Sequence, residues 1–285
     1  MPGRAGRPIE AGGSRQIVAP RRPRKRLGQH FLTDRRILGR ILAAAHLSPG
    51  DTVVEVGAGR GILTQGLAEA AARVIAVEVD QALCEEVRLR LAPHPNVAIV
   101  CGDILALPPE DLLARAGAAP PYVVVANLPY YIASAVLRRF LEAQTPPQRL
   151  IIMVQAEVAE SMAAEPGRMS LLSVATQFYA QPRILFYVPP RAFQPPPKVR
   201  SAVVQLDVRP QPAVAVDDPE AFFRLLRAGF AARRKQLRNV LALSLGLEPA
   251  AAEALLAAAV IDSQRRAQTL TIEEWARLYE AWRRQ

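Results

Sequence analysis

The 285-residue chain is long enough for a large domain plus a small one, or for two modest domains, and 51% hydrophobic residues allow a packed core. Its formal net charge of +10 predicts a polyanionic partner, although a compositional bias towards Arg and Ala is an alternative. The only cysteines, Cys84 and Cys101, lie outside any C-x-x-C or His cluster, which predicts buried reduced thiols and no metal site. No apolar run approaches the roughly 20 residues of a membrane span, and no signal-type segment follows the Arg-rich start, which predicts a cytoplasmic protein without a membrane partner.

The chain begins with a basic segment of low hydrophobicity. Residues 1–26 hold Gly, Pro and Arg with almost no apolar periodicity, and eight Arg or Lys residues precede His30 against one Glu. This composition predicts a disordered basic arm over residues 1–26. A helix is predicted next, from Asp34 to Ala45, because apolar residues recur there at helical spacing.

Short apolar runs alternate with helix-length segments from Thr52 onwards. Five of these runs are "TVVEVG", "RVIAVEV", "VAIVCGD", "YVVVANL" and "RLIIMVQ". Continuous apolar strands between helices predict a parallel sheet that is covered on both faces. Two later runs, "RILFYVPP" and "SAVVQLDV", leave no room for a crossover helix and predict an antiparallel pair at the sheet edge.

The composition changes after residue 212, and the rest of the chain has helical patterns only. Three helices are predicted, in "PEAFFRLLRAGFAARRKQLRNVLALSL", "EPAAAEALLAAAV" and "TIEEWARLYEAWRR". The sequence therefore predicts an α/β domain over residues 27–210 and a small all-helical domain over residues 211–285.

A glycine-rich turn follows the first of the five strands, in "VVEVGAGRGILTQGL". Gly57, Gly59 and Gly61 would let the backbone approach a ligand closely, beyond the carboxyl end of the strand. A dinucleotide fingerprint requires a glycine at the sixth place, which is Ile62 here. The G-x-G-x-G pattern therefore favours a ligand that has no pyrophosphate.

Acidic residues end the next two strands. Glu78 is placed to accept hydrogen bonds from ribose hydroxyls, and Asp103 to contact the exocyclic amine of an adenine. Together with the glycine turn, these residues predict a nucleoside-bearing cofactor without phosphates, of which S-adenosylmethionine is the common one. The alternative for each acidic residue alone is that it caps the following helix.

The stretch "ANLPYYI" follows the fourth strand and so lies at the same sheet edge. An N-x-P-Y pattern is similar to that of methyltransferases that modify exocyclic amino nitrogens. The Asn127 side-chain oxygen and the Leu128 carbonyl would accept the two N–H groups of adenine N6 and direct its lone pair at the methyl donor. Tyr130 would stack on the extruded base. The alternative is an Asn-Pro turn with buried tyrosines.

Several motifs, in the same order, closely resemble one family, the ribosomal small-subunit RNA adenine dimethyltransferases. The motifs are "KRLGQHFLTD", "EVGAGRGILT", "VEVD", "GDIL", "ANLPYYI", "AFQPPPKVRSAVV" and "FAARRKQLRN". The resemblance implies a Rossmann-like methyltransferase domain that uses S-adenosylmethionine to dimethylate N6 of two adjacent adenines. These adenines would lie in the hairpin loop near the 3′ end of 16S ribosomal RNA, in the immature 30S subunit.

The resemblance also implies roles for single residues. Cofactor contacts would fall on His30, Leu32, Gly57, Glu78, Asp103 and Asn127. Target-base contacts would fall on Asn127, Leu128 and Tyr130, with Phe193 as a second aromatic face. Three positions depart from the family pattern, since His30 and Tyr131 stand where Asn is common, and Arg200 stands where Asp is frequent.

A basic cluster in the predicted helical domain is expected to contact RNA phosphates. Arg233, Arg234, Lys235 and Arg238 are predicted within two turns of one helix, and the alternative is a charged exposed face.

We expect a monomer, because no exposed apolar stripe requires a partner. Two other functions stay open: a resistance-type 23S ribosomal RNA methyltransferase, and a 30S assembly factor in which catalysis is secondary.

Overall fold

A computed structural model of the chain describes residues 30–284, and the basic arm predicted over residues 1–26 lies outside them. The strands of the described residues are β1 (Phe31–Leu32), β2 (Thr52–Val56), β3 (Arg73–Glu78), β4 (Val97–Cys101), β5 (Tyr122–Asn127), β6 (Arg149–Gln155), β7 (Ala180–Val188), β8 (Phe193–Gln194) and β9 (Ser201–Val208). The helices are α1 (Arg35–Ala45), α2 (Ile62–Ala70), α3 (Gln81–Leu91), α4 (Pro109–Arg115), α5 (Ala133–Leu141), α6 (Ala156–Met162), α7 (Leu171–Tyr179), α8 (Pro219–Phe230), α9 (Leu237–Leu245), α10 (Pro249–Ala258) and α11 (Ile272–Arg283).

Seven strands form one mixed sheet in the order β4-β3-β2-β5-β6-β9-β7. The strands β2 to β6 are parallel, whereas β9 is antiparallel to both β6 and β7. This arrangement confirms the predicted parallel sheet and the antiparallel pair. The strand β9 lies between β6 and β7, so β7 forms one edge of the sheet and β4 forms the other.

The parallel strands are apolar on both faces because helices cover both. On one face, Val54 and Val124 pack into a cluster that includes residues of α4 and α5. On the other face, Val53 and Val125 pack against residues of α1 and α2. The carboxyl ends of the parallel strands therefore meet at one edge, where open α/β sheets bind their ligands.

The predicted N-terminal helix is confirmed as α1. Asp34 is its N-cap and accepts hydrogen bonds from the backbone N–H of Arg36 at 2.8 Å and of Ile37 at 3.3 Å. The helix ends at His46, which has a left-handed conformation with φ of 45°. Its apolar face, with Ile37 and Ile41 buried, packs against the sheet.

Two short strands, β1 and β8, form a separate antiparallel ladder that the sequence did not predict. Phe31 pairs with Gln194, and Leu32 pairs with Phe193. The backbone N–H of Thr33 extends the contact by donating to the Ala192 carbonyl at 2.8 Å. This β1·β8 ladder joins segments more than 150 residues apart in the chain.

The C-terminal helices α8 to α11 pack around a second core, to which α7 also contributes. The Phe178 ring lies 5.3 Å from Phe222 and 5.4 Å from Phe223, centroid to centroid, and Trp275 is fully buried among these helices. The helices α10 and α11 confirm two of the three predicted helices. The domain boundary near residue 210 stays a prediction.

The prediction of one helix from Pro219 to Leu245 is wrong, because the chain breaks between Phe230 and Leu237. The backbone N–H of Leu237 donates to the Arg265 carbonyl at 2.7 Å, and both Leu237 and Leu241 are buried. A continuous helix would carry these leucines past the core, whereas the break lets α9 fold back over it.

The prediction of two reduced thiols is also wrong, since the structure pairs Cys84 of α3 with Cys101 of β4 in a disulfide. The helix α3 packs on β4 and brings the two Cα atoms within 5.9 Å, a normal separation for a disulfide. Cys84 is fully buried, but Cys101 is only half-buried.

Among residues 30–284, no single helix is long and apolar enough to span a membrane. The helices α9 and α10 would meet this condition only together, and they join at an angle of 118°.

Candidate active site

A cavity of about 290 Å³ opens at the edge where β2, β3 and β5 end. This volume is just below the range of about 300 to 1,000 Å³ that is usual for small-molecule sites. Nine of the predicted site residues line the cavity: His30, Gly57, Gly59, Glu78, Asp103, Asn127, Leu128, Tyr130 and Phe193. Gly61, Leu32 and the four predicted RNA-binding residues do not line it.

The glycine turn needs glycine at each of its three positions. Gly57, Gly59 and Gly61 have φ values of 80°, 57° and 74°, which place them in the left-handed region that side chains disfavour. A Cβ at Gly59 would also lie 3.3 Å from the Phe31 ring. The turn can therefore present bare backbone to a ligand, as the spacing predicts.

The Glu78 carboxylate holds the glycine turn in place. Its Oε2 accepts a hydrogen bond from the Gly59 N–H at 2.8 Å, and its Oε1 accepts one from the Asp80 N–H at 3.0 Å. The N-cap of α3 is Asp80, so the capping alternative does not account for Glu78. A carboxylate has about four acceptor positions, which leaves room for ribose hydroxyls.

Asp103 does cap the element that follows it. Its Oδ1 accepts a hydrogen bond from the Leu105 N–H at 2.9 Å, at the start of a short 3₁₀ helix, Ile104–Ala106. The residue is exposed at the cavity wall, and among the described residues nothing donates to its Oδ2. Capping with one oxygen and contacting a ligand with the other are compatible roles.

The donor set of the cavity fits an adenosine derivative that carries no phosphate. Apolar side chains, including Leu83, Ile104 and Leu105, form the wall beside Asp103. No Lys or Arg of the described residues lines the cavity, so no side chain there would neutralise a pyrophosphate. These observations support the predicted class of cofactor.

The last residue of β5 and the residue after it are held firmly at the cavity. Asn127 pairs with Met153 in the ladder, and its Nδ2 donates to the His30 carbonyl at 3.4 Å. The Leu128 N–H donates to the Met153 carbonyl at 3.1 Å, and the Leu128 side chain is buried. Among the described residues no donor bonds to the Leu128 carbonyl, which leaves it available as an acceptor.

Tyr130 lies half-buried at the cavity with its hydroxyl 2.8 Å from Ser201 Oγ. Its ring stacks with His30 at 6.1 Å between centroids, and the His30 Nδ1 is 2.8 Å from the Pro195 carbonyl. Burial raises the pKa of Tyr130, and the hydrogen bond with Ser201 lowers it in part. The phenol therefore stays neutral near pH 7 and does not serve as a base.

Phe193 and Leu32 face each other across the β1·β8 ladder. Phe193 is 4% exposed and belongs both to the core and to the cavity wall. Leu32 is buried in the same cluster, so any contact with a cofactor would involve its main chain.

A family model described as ribosomal RNA adenine dimethylase matches residues 21–282. The chain belongs to this family. The match confirms the resemblance of the sequence motifs, and membership implies the use of S-adenosylmethionine and a ribosomal RNA substrate.

Curated relatives carry the name ribosomal RNA small subunit methyltransferase A. The protein of Dehalococcoides mccartyi is 48% identical, over 90% of this chain and 87% of its own length. The protein of Alkaliphilus oremlandii is 43% identical, over 88% of each chain.

Solved structures confirm the Rossmann-like methyltransferase fold. The crystal structure of the 23S rRNA methyltransferase ErmE is 30% identical, with a TM-score of 0.68, and covers 88% of this chain and 98% of that one. The structure of a dimethyladenosine transferase from Plasmodium falciparum has a TM-score of 0.75 at 23% identity, over 90% of this chain and 98% of that one, and shows the likeness of fold alone.

Two residues at or near the site, Phe31 and Glu55, were not predicted from the sequence. Phe31 lines the cavity, and the Arg60 guanidinium lies over its ring at 4.6 Å from the centroid. Glu55 is 1% exposed in β2, where burial raises its pKa to about 8 and the charge of Glu78 adds to the rise. Its sequence signal is a carboxylate inside the apolar run "TVVEV".

The predicted RNA-binding residues lie apart from the cavity, in the C-terminal helical region. Arg233, Arg234 and Lys235 are exposed in the turn between α8 and α9, and not on one helix as predicted. Arg238 lies on α9, half-buried, with its NH1 3.9 Å from Glu253 Oε1.

Arg200, one of the departures from the family pattern, is held by its neighbours. Its NH2 lies 2.8 Å from Glu160 Oε1, and its guanidinium lies 4.2 Å from the Tyr187 ring centroid. Tyr187 also donates to Glu160 at 3.1 Å. The positive charge at position 200 is thus partly balanced within the protein.

Metal-binding clusters of three or more His, Cys, Asp or Glu residues are absent from residues 30–284.

Proposed function

We propose that this chain dimethylates N6 of two adjacent adenines in the hairpin loop near the 3′ end of 16S ribosomal RNA, within immature 30S subunits. One observation carries the proposal: a single cavity is lined by the cofactor-type residues Gly57, Glu78 and Asp103 and by the amine-binding stretch that begins at Asn127. The relatives at 41–48% identity, all named for the small subunit, favour the 16S substrate.

S-adenosylmethionine, when bound, supplies an electrophilic methyl group on a sulfonium sulfur. The glycine turn, Glu78 and Asp103 would hold it at the ends of β2, β3 and β4. The remaining acceptor positions of Glu78 would accept hydrogen bonds from the ribose hydroxyls. Oδ2 of Asp103 would accept a hydrogen bond from the adenine amine. The wall formed by Leu83 and Leu105 would pack on the adenine ring.

The target amine is positioned by neutral acceptors. The Asn127 side-chain oxygen and the Leu128 carbonyl accept hydrogen bonds from its two N–H groups. These bonds direct the nitrogen lone pair and stabilise the positive charge that develops on nitrogen. The hydrogen bond from Asn127 Nδ2 to the His30 carbonyl orients the Asn127 amide. The β5·β6 ladder and the buried Leu128 side chain hold the Leu128 backbone in place. No base is required in this step, because the product amine is cationic and releases its proton to solvent.

Two aromatic rings receive the extruded base in this proposal. Tyr130 offers a stacking face worth about 1–3 kcal/mol per base, and its hydrogen bond to Ser201 fixes the ring. Phe193, in the wall formed by the β1·β8 ladder, offers the second face. The His30 ring stacks with Tyr130, and the His30 carbonyl accepts a hydrogen bond from Asn127, so His30 supports both residues.

The mechanism is tested by Asn127→Ala. We expect methyl transfer to 30S particles that lack these methyl groups to fall by at least 100-fold, while S-adenosylmethionine affinity, measured by calorimetry, changes little. Gln144→Ala, which truncates an exposed amide in the loop after α5, is the control and should retain full activity. Unchanged turnover in Asn127→Ala would refute the proposed role of the amide.

A second candidate is methylation of the large subunit, favoured by the likeness to the 23S rRNA methyltransferase ErmE. Incubation with labelled methyl donor and separated 30S and 50S particles distinguishes the two substrates. We expect label in the 30S particle, and label in the 50S particle alone would overturn the choice.

The assembly-factor alternative is tested with the same Asn127→Ala protein. If binding to immature 30S persists without catalysis, an additional assembly role is supported, whereas complete loss of binding counts against it.

The monomeric state and the cytoplasmic location are part of the proposal. Sedimentation of the purified chain tests the first, and fractionation of cells tests the second.

A further inference from the structure

Tyr131 is an aromatic side chain at the cavity with no role in the fold. It is 65% exposed, and it lines the same cavity as Tyr130. Among the described residues, its hydroxyl makes no hydrogen bond and its ring stacks on no other ring. Its exposed apolar surface therefore does not stabilise the native state.

The local backbone separates the two tyrosines. The Ile132 N–H donates to the Pro129 carbonyl at 3.1 Å and closes a turn immediately before α5. Tyr130 lies on the inner side of this turn, hydrogen-bonded to Ser201, whereas Tyr131 lies on the outer side at the cavity mouth. One aromatic ring is thus inside the site and the next is at its entrance.

Exposure alone does not distinguish Tyr131, because Tyr187 is exposed as well. Tyr187 is the other largely exposed aromatic residue of the described part of the chain, at 43%. Its hydroxyl is bonded to Glu160, and the Arg200 guanidinium covers its ring. Tyr131 has neither type of partner, and it alone of the two borders the cavity.

We infer that Tyr131 is a substrate-binding residue that stacks on the nucleotide adjacent to the adenine being methylated. The inference rests on the proposed function, in which one of two neighbouring adenines is extruded into the cavity. Extrusion removes a stacking partner from the adjacent base and exposes its face. A rigid aromatic ring at the cavity mouth replaces that partner, and every base has a face that can stack on it.

The expected effect follows from the energy of base stacking. About 1–3 kcal/mol per base corresponds to a roughly 5- to 150-fold change in an equilibrium constant. The energy is used in binding the RNA, so a loss should raise KM for the particle more than it lowers kcat. The phenol hydroxyl contributes nothing to stacking, so phenylalanine should replace tyrosine.

The test uses the full chain with 30S particles that lack these methyl groups. Variants Tyr131→Ala and Tyr131→Phe are compared with Leu89→Ala, which truncates an apolar side chain on α3 that is 74% exposed. Three quantities are measured for each: kcat and KM for the particle, particle affinity without methyl donor, and S-adenosylmethionine affinity. Thermal melting checks that each variant is folded.

We expect Tyr131→Ala to lose 5- to 150-fold in kcat/KM and in affinity for the particle, with unchanged affinity for S-adenosylmethionine. Tyr131→Phe and Leu89→Ala should match the wild type in all of these quantities. A loss below about fivefold in Tyr131→Ala would overturn this inference but not the proposed function. The same holds if Tyr131→Phe loses as much as Tyr131→Ala, or if Tyr131→Ala loses S-adenosylmethionine affinity in parallel. A wild-type protein that labels no 30S particle overturns the proposed function, and this inference with it.

Discussion

Gly59 shows how strongly the backbone of the glycine turn restricts the residue at one position. Gly59→Ala should destabilise the protein by about 1–2 kcal/mol, because its φ of 57° lies in the left-handed region. The added Cβ would also press on the Phe31 ring, so we expect a loss of at least tenfold in S-adenosylmethionine affinity. Calorimetric titration and urea unfolding measure the two effects.

The matched control is Gly39→Ala, in the middle of α1. A Cβ at Gly39 would meet nothing within 4 Å, and the residue is exposed in a helix. The same substitution should therefore stabilise the protein by about 0.4–1 kcal/mol without changing cofactor affinity. Equal effects of the two substitutions would contradict this explanation.

Glu55 should make stability depend on pH. Its pKa rises from 4.5 in the unfolded chain to about 8 in the native protein. Its contribution to stability is complete below pH 4.5 and is lost as the pH rises through 8, because only the unfolded chain releases the proton in this window. The free energy of unfolding should fall by at most about 1.4 kcal/mol per pH unit through this group.

Substitution by glutamine removes this titration. We expect the free energy of unfolding of Glu55→Gln, measured in urea at several pH values, to vary less between pH 4.5 and 8 than that of the wild type. Glu280→Gln, on the exposed face of α11, should leave the pH dependence unchanged. A slope that persists in Glu55→Gln would show that other groups cause it.

The turn between α8 and α9 holds exposed basic residues that we expect to contact a polyanion. Arg233→Gln combined with Arg234→Gln should weaken binding to 30S particles and should reduce the slope of log affinity against log salt by about 2. The control removes two charges from α11, by Arg283→Gln and Arg284→Gln, where ion pairs to Asp217 and Glu280 already balance them. Equal slopes for the two proteins would indicate that the turn makes no phosphate contact.

The regular elements of this fold could be predicted from the sequence, whereas several of its contacts could not. The runs around Val54 and Val124 predict buried parallel strands, because a sheet covered on both faces is apolar on both. The break after Phe230 could not be predicted, since its cause is the distant Arg265 carbonyl that bonds Leu237. Local periodicity contains no information about a tertiary contact of this kind.

The candidate site shows the same division. Gly57, Glu78 and Asn127 were predictable because parallel strands bring their carboxyl ends to one edge. The involvement of Phe31 depends on the β1·β8 ladder, whose strands of two residues are too short for any periodic signal. The assignments to Leu32 and Phe193 came from the family resemblance, and their roles stay predictions.

For the whole molecule, the shared core around α7 should make unfolding cooperative. Phe178 is fully buried and contacts both Phe222 and Phe223, which links the α/β region to the C-terminal helices. We expect a single transition in scanning calorimetry, and a loss of about 3–5 kcal/mol in Phe178→Ala. Leu243→Ala, at a side chain 77% exposed, should change stability by less than about 0.5 kcal/mol. Two resolved transitions in the wild type would contradict the expectation.

The β1·β8 ladder also bears on the order in which the site forms during synthesis. The segment from His30 to Leu32 leaves the ribosome early, but its partner strand, Phe193–Gln194, follows some 160 residues later. A nascent chain that ends before Ala192 can contain the glycine turn, Glu78 and Asn127, yet it lacks the strand that holds Phe31 against them. The cavity of this enzyme is therefore completed only after β8 has been translated, when six of the seven strands of the main sheet are already present in the chain.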